Sequence, residues 1–125
     1  MKKMILLIDD DIDELFIFNE ALNELPDHVD CSFAKSITEG VKVLDTMRPD
    51  YIFLDLNMPG INGYEAISIL KNLDVSRNIP VILYSTAVDE TVQAKALQLG
   101  ARGCVKKTES IAGLSCILKN LTASQ

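Results

Sequence analysis

Four apolar runs in this chain end in residues that could do chemistry. Asp9-Asp10-Asp11 follow Met4 to Ile8, Asp55 follows Tyr51-Ile52-Phe53-Leu54, Ser85-Thr86 follow Val81 to Tyr84, and Lys106-Lys107 follow Gly103-Cys104-Val105. In open parallel sheets, ligands bind just past the carboxyl ends of the strands. If these runs are neighbouring strands, carboxylates, a hydroxyl and an ammonium meet in one small pocket. Two carboxylates about 5 Å apart repel by roughly 3 kcal/mol at an effective dielectric near 20, and a third adds to this. One lysine does not neutralise three acids, whereas a divalent cation with oxygen ligands does. The donor set holds neither His nor Cys, which favours Mg²⁺, or Mn²⁺, over zinc or copper. A Mg²⁺ ion with few protein ligands keeps positions open for phosphoryl oxygens, so phosphoryl chemistry is the expected reaction class.

A carboxylate can itself be the nucleophile and form an aspartyl phosphate. Asp55 is the candidate, because it caps the central apolar run alone. Asp9, Asp10 and Asp55 are then candidate metal ligands, with Asn57 adding its backbone carbonyl. The metal and a lysine would neutralise charge on the equatorial phosphoryl oxygens, and Ser85 would donate a hydrogen bond to one of them. Other polar residues have structural readings. Asp11-x-x-Glu14 has the spacing of a capping box opening the first helix. Pro59-Gly60 and Asn62-Gly63 are turn signals, and His28, beside Pro26 and Asp27, reads as an exposed loop residue.

The elements that must position these residues are legible in the hydrophobic pattern. Short apolar runs without polar alternation are separated by longer segments of helical periodicity, the signature of a parallel α/β sheet. Strands are predicted at Met4 to Ile8, Val29 to Phe33, Tyr51 to Leu54, Val81 to Tyr84 and Gly103 to Val105. The first helix has Ile12, Leu15, Phe16, Leu22 and Leu25 on its inward face and stops at Pro26. Ser36-x-x-Glu39 is a capping box opening the second, with Val41 and Leu44 inward. The third runs from about Tyr64 to Leu73 and the fourth from about Glu90 to Leu99. The fifth carries Ile111, Leu114, Leu118 and Leu121.

A length of 125 residues suits one domain, and 48% hydrophobic with 24% charged residues is the balance of a globular protein. A net charge of −6 argues against nucleic acid as a direct partner, because that binding rests on Lys and Arg. No apolar run approaches the roughly 18 residues of a membrane span, and the apolar stretch after Met1-Lys2-Lys3 meets acids instead of a cleavage site. Neither insertion nor secretion is expected. Cys31, Cys104 and Cys116 lack the spacing of a disulfide framework or zinc site and read as small apolar fillers in a reducing cytoplasm. Only four residues follow Leu121, so a single domain without an effector domain is expected.

The order and spacing of these motifs resemble the receiver domains of bacterial two-component signalling. Leu6-Leu7-Ile8-Asp9-Asp10-Asp11 is similar to that family's acidic pair after strand one, and Phe53-Leu54-Asp55-Leu56-Asn57-Met58-Pro59-Gly60 to its phosphoacceptor segment. Ile79-Pro80-Val81-Ile82-Leu83-Tyr84-Ser85 is similar to the fourth strand with its terminal hydroxyl, and Gly100 to Lys107 to the approach to the family's lysine, here Lys107. The resemblance implies a flavodoxin-like, doubly wound five-stranded parallel sheet of order 2-1-3-4-5 with five helices. It implies phosphoryl transfer to Asp55 from the phosphohistidine of a sensor histidine kinase or a histidine phosphotransfer protein, then slow self-catalysed hydrolysis. It further implies direct Mg²⁺ ligation by Asp10, ligation through water by Asp9, and output to a downstream protein or a second copy of the domain.

Three positions depart from the family pattern: Thr108 stands where a proline usually follows the lysine, Cys104 where an aromatic ring usually switches, and Ala87 where a polar side chain would position water. Two alternatives accompany the receiver reading. One is a protein-binding module that is never phosphorylated. The other is a small Mg²⁺-dependent phosphohydrolase, disfavoured because Asn57 stands where such enzymes place a second acid.

Overall fold

The computed structural model describes residues 3–107 and 110–123. In chain order the elements are β1 (Lys3–Ile8), α1 (Asp13–Leu22), β2 (Val29–Ala34), α2 (Ile37–Leu44) and β3 (Tyr51–Asp55). The short strands β4 (Asn57–Met58) and β5 (Ile61–Asn62) come next, then α3 (Gly63–Asn72), β6 (Val81–Ser85), α4 (Glu90–Gln98), β7 (Gly103–Lys106) and α5 (Ile111–Ala123). Five strands form a parallel sheet in the order β2-β1-β3-β6-β7. Setting aside the small antiparallel pair β4–β5, this is the expected 2-1-3-4-5 order. The chain reverses direction between β1 and β3, and the crevice at their carboxyl ends is where such sheets bind ligands.

The central strands are buried on both faces, which explains their unbroken apolar sequence. Leu6, Ile8, Ile52, Leu54, Val81 and Leu83 pack with Leu44 of α2, Ile67 and Leu70 of α3 and Ala96 of α4. Ile5, Leu7, Tyr51, Phe53, Ile82 and Tyr84 pack with Phe18 of α1 and with Leu114 and Leu118 of α5. Four strands run one residue beyond the apolar runs, because ladder hydrogen bonding does not stop where hydrophobicity does. Asp55 pairs with Tyr84 and Ser85 with Lys106, so both Asp55 and Ser85 sit on rigid strand ends rather than in loops.

The helices require several corrections. α1 ends at Leu22, short of Pro26. Its buried face is Phe18, Ala21 and Leu22, with Leu15, Ile17 and Leu25 partly covered. Ile12 and Phe16, expected inward, are 47% and 60% exposed: four residues apart, they form a separate stripe that turns away from the sheet. In α2, Leu44 faces inward but Val41 lies on an outer groove with Ile37 and Ile69. Gly40 takes the inward place, because a Cβ there would lie 2.6 Å from Ile8 Cδ1. Ser36 Oγ accepts the Glu39 N–H at 3.2 Å, while Glu39 reaches back to the Lys35 N–H rather than that of Ser36. Such a cap stabilises the helix by about 1 kcal/mol. Asn62 caps α3 reciprocally, accepting from Glu65 N–H and donating to its carboxylate. Cys31 is largely buried and its thiol is pushed up to about 12, Cys104 is half-buried, and Cys116 is exposed rather than a filler.

Candidate functional site

Alternation along the strands decides which side chains meet. Asp9 continues the Ile5-Leu7 register, Asp55 the Tyr51-Phe53 register and Lys107 that of Val105, so all three emerge on the sheet face covered by α1 and α5. The Asp9 N–H donates to the Ala34 carbonyl at 3.0 Å, which pins the end of β1 to β2. Its side chain is fully buried, with Oδ1 accepting the Asp11 N–H at 3.0 Å. Asp55, 4% exposed, accepts the Asn57 N–H on Oδ1 at 3.2 Å.

Lys107 bridges the two acids. Its N–H donates to the Ser85 carbonyl at 2.8 Å, one step past the β6–β7 ladder, and this fixes where it leaves the sheet. Its Nζ lies 2.8 Å from Asp9 Oδ2 and 3.3 Å from Asp55 Oδ1. Lys106, one residue earlier, points outward and is exposed. Asp10 is exposed, yet it offers a carboxylate oxygen within 4.8 Å of oxygens of Asp9 and Asp55. No other trio of His, Cys, Asp or Glu among the described residues is so grouped. Three carboxylates facing one ammonium leave an excess of negative charge, and an all-oxygen donor set suits a hard divalent cation.

Ser85 is fully buried at the end of β6. Its Oγ accepts the Ala87 N–H at 3.3 Å, and its own proton remains available to donate. Ala87 is exposed and Cys104 packs against the layer of α2–α4, on the opposite face from Lys107. Thr108 lies outside the described residues.

The electrostatics follow from this packing. Burial, helped by the charge of Asp9, pushes the Asp55 carboxyl up to about 6, against the opposing pull of the Asn57 N–H and Lys107. Burial works against the charge on Lys107, but Asp9, Asp55 and Glu14 outweigh it and hold the ammonium above its ordinary range. Lys107 is thereby held in its charged form between the two acids.

Two residues near the site were not anticipated as a pair. The N-cap position of α1 is Ile12, which carries no side-chain cap, and Asp11 accepts the Asp13 N–H at 3.0 Å in the turn before the helix. Glu14 does not complete the box; its carboxylate turns inward and accepts the Tyr84 hydroxyl at 2.9 Å. The available signal was in Tyr84: a hydroxyl in an apolar strand must find a partner when buried.

Gly63 couples α3 to the site. Its N–H donates to the Leu56 carbonyl at 2.6 Å, and a Cβ would stand 2.6 Å from Leu56 Cα and 3.1 Å from the Asp55 carbonyl oxygen. Both neighbours are backbone and cannot swing aside. Gly63→Ala is expected to destabilise the domain by about 1–3 kcal/mol and to move the Asp55–Asn57 segment. Urea unfolding together with amide shifts at Leu56 and Asn57 checks this.

Comparison with known proteins agrees with this architecture. Residues 5–119 match the family described as response regulator receiver domain. The nitrate/nitrite response regulator protein NarL of Escherichia coli K12 is 34% identical over 103 residues, covering 82% of this chain and 47% of NarL. A protein-glutamate methylesterase/protein-glutamine glutaminase of Pyrococcus abyssi is 29% identical over 111 residues, covering 87% of this chain and 29% of that protein. The chain thus spans less than half the length of these curated relatives. The signal receiver domain of a DNA binding response regulator from Colwellia psychrerythraea 34H superposes with a TM-score of 0.82 at 26% identity, over 97% of this chain and 98% of that one.

Proposed function

Because the chain belongs to the response regulator receiver domain family, we propose that it carries its phosphoryl group on Asp55, received from the phosphohistidine of a sensor histidine kinase or histidine phosphotransfer protein. The observation that carries this reading is the Lys107 ammonium lying between Asp9 and Asp55, with Asp10 completing the acidic trio.

Among the described residues, Asn57 and Lys107 both meet the Asp55 carboxylate on Oδ1, which leaves Oδ2 to attack phosphorus. The P–N bond to the donor imidazole breaks as the P–O bond forms, and the electron pair returns to the imidazole nitrogen, which takes up a proton. The negative charge on the phosphoryl oxygens then draws the Lys107 ammonium from Asp55 and accepts a hydrogen bond from Ser85. Asp9, Asp10 and Asp55, with the Asn57 carbonyl, would hold Mg²⁺, or Mn²⁺, at the acidic trio. When bound, that ion supplies charge neutralisation at the phosphoryl oxygens.

The output is a change in protein binding. A charge-assisted hydrogen bond to Ser85 can bias two states of the following loop that differ by a few kcal/mol. That loop leads into α4, and next to β6 the edge strand β7 forms with α5 a groove of about 410 Å³, lined toward the amino ends of the two strands by Ile82, Arg102 and Gly103 and by Ile117 and Leu121 of α5. A partner protein or a second copy of the chain would read this surface.

Incubation with acetyl phosphate and Mg²⁺, followed by intact mass, is expected to show one added phosphoryl group that persists over minutes. No gain would overturn the reading, and rapid turnover of the donor without accumulation would indicate a phosphohydrolase. Hydrogen exchange with and without beryllofluoride is expected to change between Thr86 and Leu99; changes confined to the Asp55 pocket would place the output face elsewhere.

A further inference from the structure

Tyr84 is a buried phenol in an apolar layer, and what surrounds it is specific. The ring meets Phe18 edge-on at 5.1 Å and Phe53 at 6.2 Å, which fixes its plane. Its hydroxyl is held by Glu14 Oε1, from a helix 70 residues away in sequence. Its face lies beneath the Lys107 ammonium, with Nζ 5.4 Å from the ring centroid. Among the described residues, the ammonium is contacted by Asp9, Asp55 and the Tyr84 ring.

We propose that Tyr84, anchored through its hydroxyl by Glu14, is a positioning residue for phosphoryl transfer, its ring face seating the Lys107 ammonium where it meets the incoming phosphoryl group. This rests on the phosphoacceptor reading of Asp55. Lysine carries its charge on a flexible four-carbon stem, so the ammonium needs external direction. Before transfer the two carboxylates direct it. During transfer Asp55 loses its charge to the new P–O bond, and Lys107 must release Oδ1 and follow the phosphoryl oxygens. Attraction to a ring face is spread over the ring and tolerates that displacement, whereas a carboxylate contact does not. Glu14 has a second effect. A free carboxylate at this place would compete for the ammonium, and the Tyr84 hydroxyl occupies it. Burial pushes both the Glu14 carboxyl and the Tyr84 hydroxyl up, so the phenol stays protonated and remains the donor.

The test uses the full chain, acetyl phosphate and Mg²⁺, with labelling rate read by intact mass. Tyr84→Leu is expected to slow labelling about tenfold with unchanged apparent Mg²⁺ affinity. Tyr84→Phe, which keeps the ring but frees Glu14, is expected to slow it about threefold. Glu14→Ala, which removes the anchor of the hydroxyl without leaving a competing carboxylate, should slow labelling by no more than Tyr84→Phe. In a Lys107→Ala background Tyr84→Leu should have no further effect, because the ring acts only through Lys107. An undiminished Tyr84→Leu effect in that background, or none with Lys107 present, would overturn the proposal. A second measurement needs no variant: the Lys107 methylene protons next to Nζ should be shifted upfield by the Tyr84 ring current, and their absence from that position would also overturn it. Failure of the unaltered chain to label overturns the Asp55 reading instead, and the proton shift distinguishes the two failures.

Discussion

Asp55→Asn is expected to abolish phosphorylation and to make the domain more stable at neutral pH. The amide that replaces the carboxylate has no charged oxygen to attack phosphorus, so Mg²⁺-dependent labelling should fall to background. Stability should move the other way because the native carboxylate is held against its preference. Its pKa is raised to about 6, first by burial and then by Asp9. A group with a raised folded pKa stabilises the fold fully below its unfolded value near 3.8, and that contribution is lost as pH rises toward about 6. The loss has an upper bound near 3 kcal/mol, and solvent screening reduces the expected gain from Asp55→Asn to about 1–2 kcal/mol at pH 7. Without divalent cations, the unaltered chain should lose stability between about pH 4 and 6, and the variant should lose less. Denaturant unfolding at pH 4.5 and 7 measures both. Retained labelling in the folded variant would rule out Asp55 as the nucleophile; equal pH dependence would rule out the raised pKa.

Lys107→Ala should be the most destabilising single change at the site. Among the described residues, it leaves Asp9, fully buried, with only the Asp11 N–H, and Asp55 without its cation. Removing one partner of a buried ion pair costs about 3–5 kcal/mol; because Asp10 opens the pocket to water, about 2–4 kcal/mol is expected here. Lys106→Ala removes an exposed charge and should stay within about 0.5 kcal/mol of the unaltered chain. Mg²⁺ should restore more stability to Lys107→Ala than it adds to the unaltered chain, because an uncompensated acidic trio binds a cation more tightly. After phosphorylation, Lys107→Ala should fail to change exchange in the Thr86–Leu99 segment while Lys106→Ala responds normally. Similar behaviour of the two variants would contradict the placement of Lys107 in the pocket.

The parts of the molecule fixed by local periodicity were legible in the sequence. Unalternated runs such as Tyr51-Ile52-Phe53-Leu54 announced strands buried on both faces, and the abrupt change to Asp9, Asp55, Ser85 and the two lysines marked the strand ends where the site lies. Spacing also found the Ser36 cap. Physical reading of the runs could not order the strands; the 2-1-3-4-5 order came from the resemblance, because parallel pairing joins segments far apart and leaves no local trace. The inward stripe of α1 was misplaced for a related reason. Ile12-Phe16 and Phe18-Leu22 are both helical spacings of four, and only packing against β1, β3 and α5 decides which turns inward. The short β4–β5 pair read only as turn signals, since two-residue strands carry no period. Which lysine enters the pocket depends on the β6–β7 register, where a shift of one residue exchanges the faces. The Glu14 carboxylate chose between a helix cap at its own terminus and a phenol 70 residues away, and it turned to Tyr84 because a buried hydroxyl without a partner costs more than an exposed helix end that water can solvate.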